Sequence, residues 1–393
     1  MTLAAGRHYL AIPGPSVMPD PVLAAMHRPA PNIYEGELVD MTATIAADLK
    51  RIAVTEHQVA IYIANGHGAW EAALANVCAP GETVLCCVTG RFGEGWAEMA
   101  RGLGLVAEEI DFGLSSALDA GRIEAALRED RAGRIRAVLV NHVDTATTVR
   151  NDIAAVRAAI DAAGHPALLM VDCIASLGCD PFEMDALGAD VVVAASQKGL
   201  MTPPGLGFLF FNERADAVQR ANKVSGYWSW TVRARPEMFY QFFGGTAPTH
   251  HLYGLRTALD MLLAEGLEAI WHRHEVLSGA IWAAVDAWGQ GGAMRLNVPR
   301  PEERSFAVTS VHLPEGKAEE LRRFCSERLG VTLGIGLGRD PGVDYLRVGH
   351  MGHVNAHMVL GVVGVMEAGM AALSIPFGPG AGSAAAEVVA RGC

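Results

Sequence analysis

The sequence is short of charge, of basic charge in particular, and of paired cysteine motifs. Only 19% of its 393 residues are charged, and 31 Lys and Arg stand against 43 Asp and Glu, a formal net charge of −12. A broad nucleic-acid face needs the opposite balance, so no nucleic-acid partner is expected. The seven cysteines (Cys78, Cys86, Cys87, Cys173, Cys179, Cys325, Cys393) are odd in number and show no CxxC spacing. Most sit in apolar runs, where a free thiol packs as a small hydrophobe. No basic segment followed by an apolar one opens the chain, so no secretory signal is expected. The most apolar long stretch, Met358 to Leu373, is too short to span a bilayer comfortably and contains Glu367. A reduced, cytoplasmic protein without a membrane partner is the expectation. What is plentiful is apolar surface, 51% of the residues. A chain of this length and apolarity can bury a large core divided over two or three domains.

Short, continuous apolar runs recur through the first two thirds: Val59–Ala64, Thr83–Val88, Ala137–Val140, Ala167–Val171, Val191–Ala194 and Phe208–Phe211. Runs without alternation suit strands buried on both faces of a mostly parallel sheet, and helical stretches such as Ile153–Ala163 lie between them. The fold class is therefore α/β. After Thr246 the rhythm changes. Leu252, Leu255, Leu259, Leu262 and Leu263 share one helical face, Gly266 interrupts it, and Leu267, Ile270, Trp271, His274, Leu277, Ile281 and Val285 begin another. Strand-like segments at Met294–Val298, Phe306–Leu313 and Tyr345–Val348, with a helix around Ala318–Leu329, describe a small α+β domain. Gly378–Ala386 reads as a Gly/Ala/Ser connector into a short terminal helix.

Two places could carry chemistry. The apolar strand Leu168–Val171 ends in Asp172, and the next, Val191–Ala194, leads to Ser196-Gln197-Lys198-Gly199. Ligands of open α/β sheets bind at the carboxyl ends of strands, so an acid and a lysine are offered together. Burial there lowers a lysine's pKa, and its neutral amine can form a Schiff base; a lysine paired with an internal carboxylate is the plainer alternative. Asn65-Gly66-His67-Gly68 follows another strand and precedes an apolar helix, where backbone N–H groups can take a phosphate. The same turn is common without a ligand, and His67 alone suits packing or capping. A phosphate cradle, a carboxylate and a Schiff-base lysine together meet the needs of pyridoxal 5'-phosphate.

With these motifs in place the chain resembles the class V aminotransferases of fold type I, within them the alanine/serine–glyoxylate group. The resemblance spans almost the whole length and rests on Pro13-Gly14-Pro15, Gly66-His67, Asp172, Ser196-Gln197-Lys198-Gly199-Leu200, Pro203-Pro204-Gly205-Leu206-Gly207, Leu252-Tyr253-Gly254-Leu255-Arg256 and Arg347-Val348-Gly349-His350-Met351-Gly352. It implies a seven-stranded-type sheet in a large domain (21–265), an N-terminal arm (1–20) and a small C-terminal α+β domain (266–393). It implies Lys198 as the aldimine lysine and proton shuttle, and Asp172 as partner of the pyridine nitrogen. Gly66, His67 and Gln197, with Asn65 beside them, would hold the phosphate, joined by Thr246 from the second subunit of a homodimer. Phe92 would stack on the ring, Ile174 would line the cofactor, Arg347 would take the substrate carboxylate, and Tyr34 would lie at the substrate mouth. The implied activity is ping-pong transfer of an amino group from serine, alanine or aspartate to a small 2-oxo acid such as glyoxylate.

The sequence also departs from that pattern. In His142-Val143-Asp144-Thr145-Ala146-Thr147-Thr148, Asp144 replaces a Glu, Thr148 a turn glycine, and Ala146 a hydroxyl residue, leaving Thr145 or Thr147 as the phosphate candidate. A phenylalanine precedes Gly244-Gly245-Thr246 where a tyrosine often stands, and Asn32-Ile33-Tyr34-Glu35-Gly36 lacks the group's usual mouth sequence. The His142-x-Asp144-Thr145 run is somewhat like that of pyridoxamine–pyruvate transaminases. A desulfurase-type lyase would need a cysteine on a mobile loop, whereas Cys325 lies in a helical pattern. A dinucleotide-binding oxidoreductase is suggested by Gly334-Ile335-Gly336-Leu337-Gly338, but Arg339-Asp340-Pro341-Gly342 breaks any helix after it. His142, His250, His251, His350 and His353 lack a completing carboxylate or cysteine, so no metal is expected.

Overall fold

The computed structural model describes residues 2–393. A short first strand, β1 (Tyr9–Ala11), belongs with the end of the chain. The next seven are β2 (Gln58–Ala64), β3 (Thr83–Val88), β4 (Val106–Asp111), β5 (Ile135–Asn141), β6 (Leu168–Asp172), β7 (Val191–Ala195) and β8 (Gly205–Phe211). They form one sheet in the order β2–β8–β7–β6–β5–β3–β4. The pairs β3–β4, β3–β5, β5–β6 and β6–β7 are parallel, while β8 runs antiparallel to both β7 and β2. The carboxyl ends of β2, β5, β6 and β7 thus lie along one edge, which is where the candidate site forms.

The continuous apolar runs have the expected cause. Side chains alternate faces along a strand, and both faces of this sheet are covered. Val192 and Ala194 of β7 and Leu169 and Val171 of β6 enter one core with Ile45, Leu49 and Phe208. Val191, Val193, Leu168 and Met170 enter a second core on the other face, with Trp70, Trp96 and Phe211. Trp70 and Trp96 stack there at 5.7 Å.

The other sheet gathers β1 with β9 (Arg295–Leu296), β10 (Val308–His312), β11 (Val331–Ile335) and β12 (Tyr345–Gly349), in the order β1–β11–β12–β10–β9. Its core takes side chains from the helices Leu267–Gly289, Lys317–Leu329 and Ala356–Ala372. The apolar stretch from Met358 lies in the last of these, and no helix among the described residues is long and apolar enough to cross a membrane.

Three local expectations change. The segment Gly378–Ala386 is only in part a connector, because the helix Ala381–Gly392 already starts within it. Gly380 turns the chain at φ +93°, and the alanines beyond it are strong helix formers with Ala381 and Ala385 buried. The Met294–Val298 strand shrinks to Arg295–Leu296, which pairs with β10 alone. Strand β4 was not expected: it is an edge strand with Glu108 and Glu109 exposed, so it carries no apolar run.

Candidate active site

Lys198 stands three residues beyond β7, in a loop that bonds to itself. Ser196 Oγ donates to Pro203 O (2.6 Å) and accepts from the Leu206 N–H (3.3 Å), and Thr202 Oγ1 donates to Leu200 O (2.9 Å). The N-terminal segment lies over this loop. The Ser16 N–H donates to Gln197 O (2.9 Å), Ser16 Oγ donates to Lys198 O (2.7 Å), and Lys198 Nζ donates to Pro13 O. Gly14 has φ +104°, and a Cβ there would lie 2.6 Å from Nζ, so only glycine lets the backbone pass so close. Burial lowers the Lys198 pKa to about 8; the Arg347 charge acts in the same direction and Asp172 opposes it.

Asp172 ends β6. Its Oδ1 accepts from the Ile174 N–H (2.7 Å) and its Oδ2 from Asn141 Nδ2 (2.6 Å), the register partner at the end of β5. Burial pushes the carboxyl up to about 7, against the pull of those hydrogen bonds, and the nearby Asp144 charge adds to the rise. Asp144 itself is fully buried in the turn after β5. Its carboxylate accepts from the N–H groups of Phe92 (2.8 Å), Gly93 (3.2 Å), Ala146 (2.9 Å) and Thr147 (3.3 Å). One side chain therefore ties the start of the helix Arg91–Gly102 to the 145–147 turn.

Between Lys198 and Asp172 lies a cavity of about 160 Å³, walled also by Asn65, Gly66, His67, Trp70, Phe92, Thr145, Ile174 and Gln197. Asn65 caps the helix Gly66–Val77: its Oδ1 accepts from the His67 (3.1 Å) and Gly68 (3.2 Å) N–H groups. Gln197 Oε1 is buried without a hydrogen-bond partner. A half-turn of that amide would present its N–H₂ instead, a donor with nothing to bind but a ligand. A Cβ on Gly66 would fall 2.4 Å from Ile174 Cδ1, so this corner has no room for a side chain.

A family model for aminotransferase class V matches residues 9–349. The chain belongs to the class-V aminotransferases. It is 38% identical to a serine–glyoxylate aminotransferase of Methylorubrum extorquens, over 98% of this chain and 96% of the relative. It is 36% identical to an L-aspartate–glyoxylate aminotransferase of Paracoccus denitrificans, over 96% and 94%. Among solved structures, a pyridoxamine–pyruvate aminotransferase from Mesorhizobium loti superposes with a TM-score of 0.88 at 25% identity, covering 100% of both chains.

Membership of this family implies pyridoxal phosphate, and the residues present fit it: a half-buried lysine with a lowered pKa, a buried carboxylate opposite, an orphaned amide and a small-residue corner. The other candidates are placed unevenly. Thr145 and Ile174 reach the cavity. Thr147 does not, because its hydroxyl donates to Thr89 O (2.9 Å) behind the turn. Tyr34 is 87% exposed, on the loop before the helix Glu37–Ala53, and Thr246 is exposed on a loop of its own. Arg347 sits on β12 opposite Gly334, buried, with Nε donating to Ile335 O (2.8 Å) and Nη1 to Thr145 O (2.8 Å). Three participants escaped the sequence reading. Trp70 borders the cavity four residues after Gly66, Asn141 supports Asp172, and Pro13 accepts from Lys198. Trp70 had a signal, since i and i+4 share a helix face.

Proposed function

We propose that this transaminase moves an amino group from a small amino acid (serine, aspartate or alanine) to a small 2-oxo acid, with glyoxylate as the acceptor. The observation that carries the recognition half of this reading is Arg347. The residue is 6% exposed, and among the described residues its guanidinium bonds only to carbonyl oxygens and has no carboxylate partner. Burial lowers its pKa to about 10, and a cation so desolvated gains from a bound anion. Both substrates of a transamination carry a carboxylate beside the reacting carbon, and a guanidinium can take it with two parallel bonds. The relatives' names favour glyoxylate on the acceptor side.

Pyridoxal phosphate, when bound, supplies the electron sink that lets a proton leave the substrate α-carbon. Lys198 Nζ would carry the cofactor at rest and move that proton from the α-carbon. Asp172 would hold a proton at the ring nitrogen; Asn141 and the Ile174 N–H keep its carboxylate in place. Gln197, Asn65 and the backbone at Gly66 and His67 would bind the phosphate, with Thr145 the threonine of its loop that faces the cavity. Phe92, fixed through its N–H by Asp144, would cover one face of the ring. In this reading the chain divides into an arm (1–20), a cofactor domain (21–265) and a small domain (266–393). It works in the cytoplasm as a homodimer in which Thr246 reaches the neighbour's phosphate.

A second reading, transfer from pyridoxamine to pyruvate, is favoured by the full-length likeness to the Mesorhizobium loti enzyme and by the His142-x-Asp144-Thr145 run. A panel of donors against glyoxylate, pyruvate and 2-oxoglutarate on purified holoenzyme separates the two. Glycine should form from glyoxylate with serine, aspartate or alanine. Failure of glyoxylate with every donor, and turnover of pyridoxamine with pyruvate, would replace the first reading by the second.

A further inference from the structure

Arg233 is a buried cation that does not line the cavity. It is 1% exposed and bonds to no carboxylate among the described residues. Its guanidinium donates to Tyr227 O (2.7 Å from Nη2, 3.1 Å from Nε), to Ile61 O (3.0 Å) and to Phe242 O (3.4 Å). It also lies over the rings of Tyr62 (4.4 Å) and Tyr227 (4.7 Å). Carbonyls and ring faces offset part of the cost of burying the charge. Three segments are tied by this one group: β2, the turn at Tyr227 and the end of the short helical turn Phe239–Phe243.

The turn after Phe243 gives the arrangement its use. Gly244, at φ +65°, passes so near the guanidinium that a Cβ there would lie 2.5 Å from Nη2. Gly245 and Thr246 come next, and the Thr246 hydroxyl is exposed with no hydrogen bond among the described residues. Around this turn Ile63, Tyr227, Val232, Met238 and Tyr240 are all exposed, although each is large and apolar. A cluster of that kind marks a surface that another molecule covers. A second copy of this chain is the occupant that also gives Thr246 something to bind, since each copy carries a phosphate cradle with an unpartnered amide at Gln197.

We propose that Arg233 is a positioning residue for the cofactor site of a second copy of the chain: it fixes the Gly244–Thr246 turn so that the Thr246 hydroxyl meets the neighbour's cofactor phosphate. This rests on the reading in which the cofactor is pyridoxal phosphate and Thr246 acts across a dimer. Arg233 touches neither cofactor nor substrate, and its effect crosses the subunit boundary.

The test uses full-length Arg233→Met and Gly244→Ala, the last disturbing the same contact from the turn's side of it. Apo-protein is titrated with pyridoxal phosphate and with unphosphorylated pyridoxal, read by absorbance. Affinity for the phosphorylated form should fall about tenfold, the loss of one hydrogen bond to a charged group, while affinity for pyridoxal stays unchanged. Tagged heterodimers are then made by co-expression with Lys198→Ala. The Arg233→Met subunit keeps its own Lys198 and borrows an intact turn from its partner, so the mixed dimer should recover phosphate-dependent cofactor binding and about half of wild-type turnover, one site in two. A Lys198→Ala with Thr246→Val dimer is the control. If that control recovers while the Arg233→Met and Gly244→Ala dimers do not, or if affinity for both forms of the cofactor falls together, Arg233 serves only its own fold and the proposal is overturned. No recovery in the control overturns the shared site, and the proposal with it. Should Arg233→Met not fold, Gly244→Ala decides by the same two readouts.

Discussion

The floor of the cavity and the candidate residues outside it are built differently. At the floor, Lys198, Asp172 and Gln197 sit at the carboxyl ends of buried strands, each backed by the protein and open on one side. Outside the cavity lining, Tyr34 and Thr246 face solvent on loops, and Arg347, on the other sheet, is buried with carbonyls as its only hydrogen-bond partners among the described residues. The floor is organised within one chain before any ligand arrives. In the proposed function these residues would gain their partners from outside: a substrate carboxylate for Arg347, a second subunit for Thr246. Changes at the floor should therefore abolish chemistry, and changes at Arg347 or Thr246 should alter affinity.

The largest effect is expected for Lys198→Ala, which removes the only amine in the cavity. It should lose the visible band of the bound cofactor and all measurable transamination; retained turnover would break the contrast. Asp172→Asn and Asp144→Asn form the next pair. Asp172 has two donors and an open side, so its loss should lower turnover by about 10²-fold or more with little change in apo-protein stability. Asp144 accepts four backbone N–H groups, and an amide there puts a donor against donors. Its replacement should cost about 2 kcal/mol in denaturant unfolding of the apo-protein. Equal losses of stability in the two variants would contradict the assignment of roles.

Arg347→Lys should raise KM for donor and acceptor alike by about tenfold, because a lysine cannot make the two-pronged bond. A fall in kcat with unchanged KM would move Arg347 from recognition to chemistry. The attachment of pyridoxal phosphate to apo-protein should depend on pH through Lys198. Only the neutral amine adds to a carbonyl, and its pKa is lowered from 10.5 to about 8. The rate of band formation should climb about tenfold per pH unit below that point and level off above it. A rise that continues to pH 10 would show an unperturbed lysine. The smallest effect belongs to Tyr34→Phe, which should leave every constant within about twofold, as exposed substitutions usually do.

The fold was legible where burial was complete. Six of the seven strands of the main sheet were visible because both faces are covered and their runs are apolar. Strand β4 was hidden by its edge position, and β1 by a length of three residues. The residues proposed to react were legible as a cavity-lining pair because strand ends leave a sequence signature, an apolar run stopped by an acid or a lysine. What could not be read is how neighbours divide their hydrogen bonds. Thr145 and Thr147 look alike in sequence, yet only the backbone path sends one to the cavity and the other to Thr89. Asp144 read as a departure from a motif, and its four N–H partners come from two segments some fifty residues apart. Pro13 contributes a carbonyl, which no side-chain pattern reports.

The central claim is that one cavity carries an amino group from a small donor to glyoxylate, and a single experiment without turnover tests it directly. Holoenzyme is mixed with serine, aspartate or alanine in the absence of any acceptor, and its visible band is followed. The account predicts that at least one donor bleaches the band and releases one equivalent of 2-oxo acid per subunit. Glyoxylate added next should restore the band and yield one equivalent of glycine. A band that no amino acid bleaches, or one that glyoxylate does not restore, would contradict it.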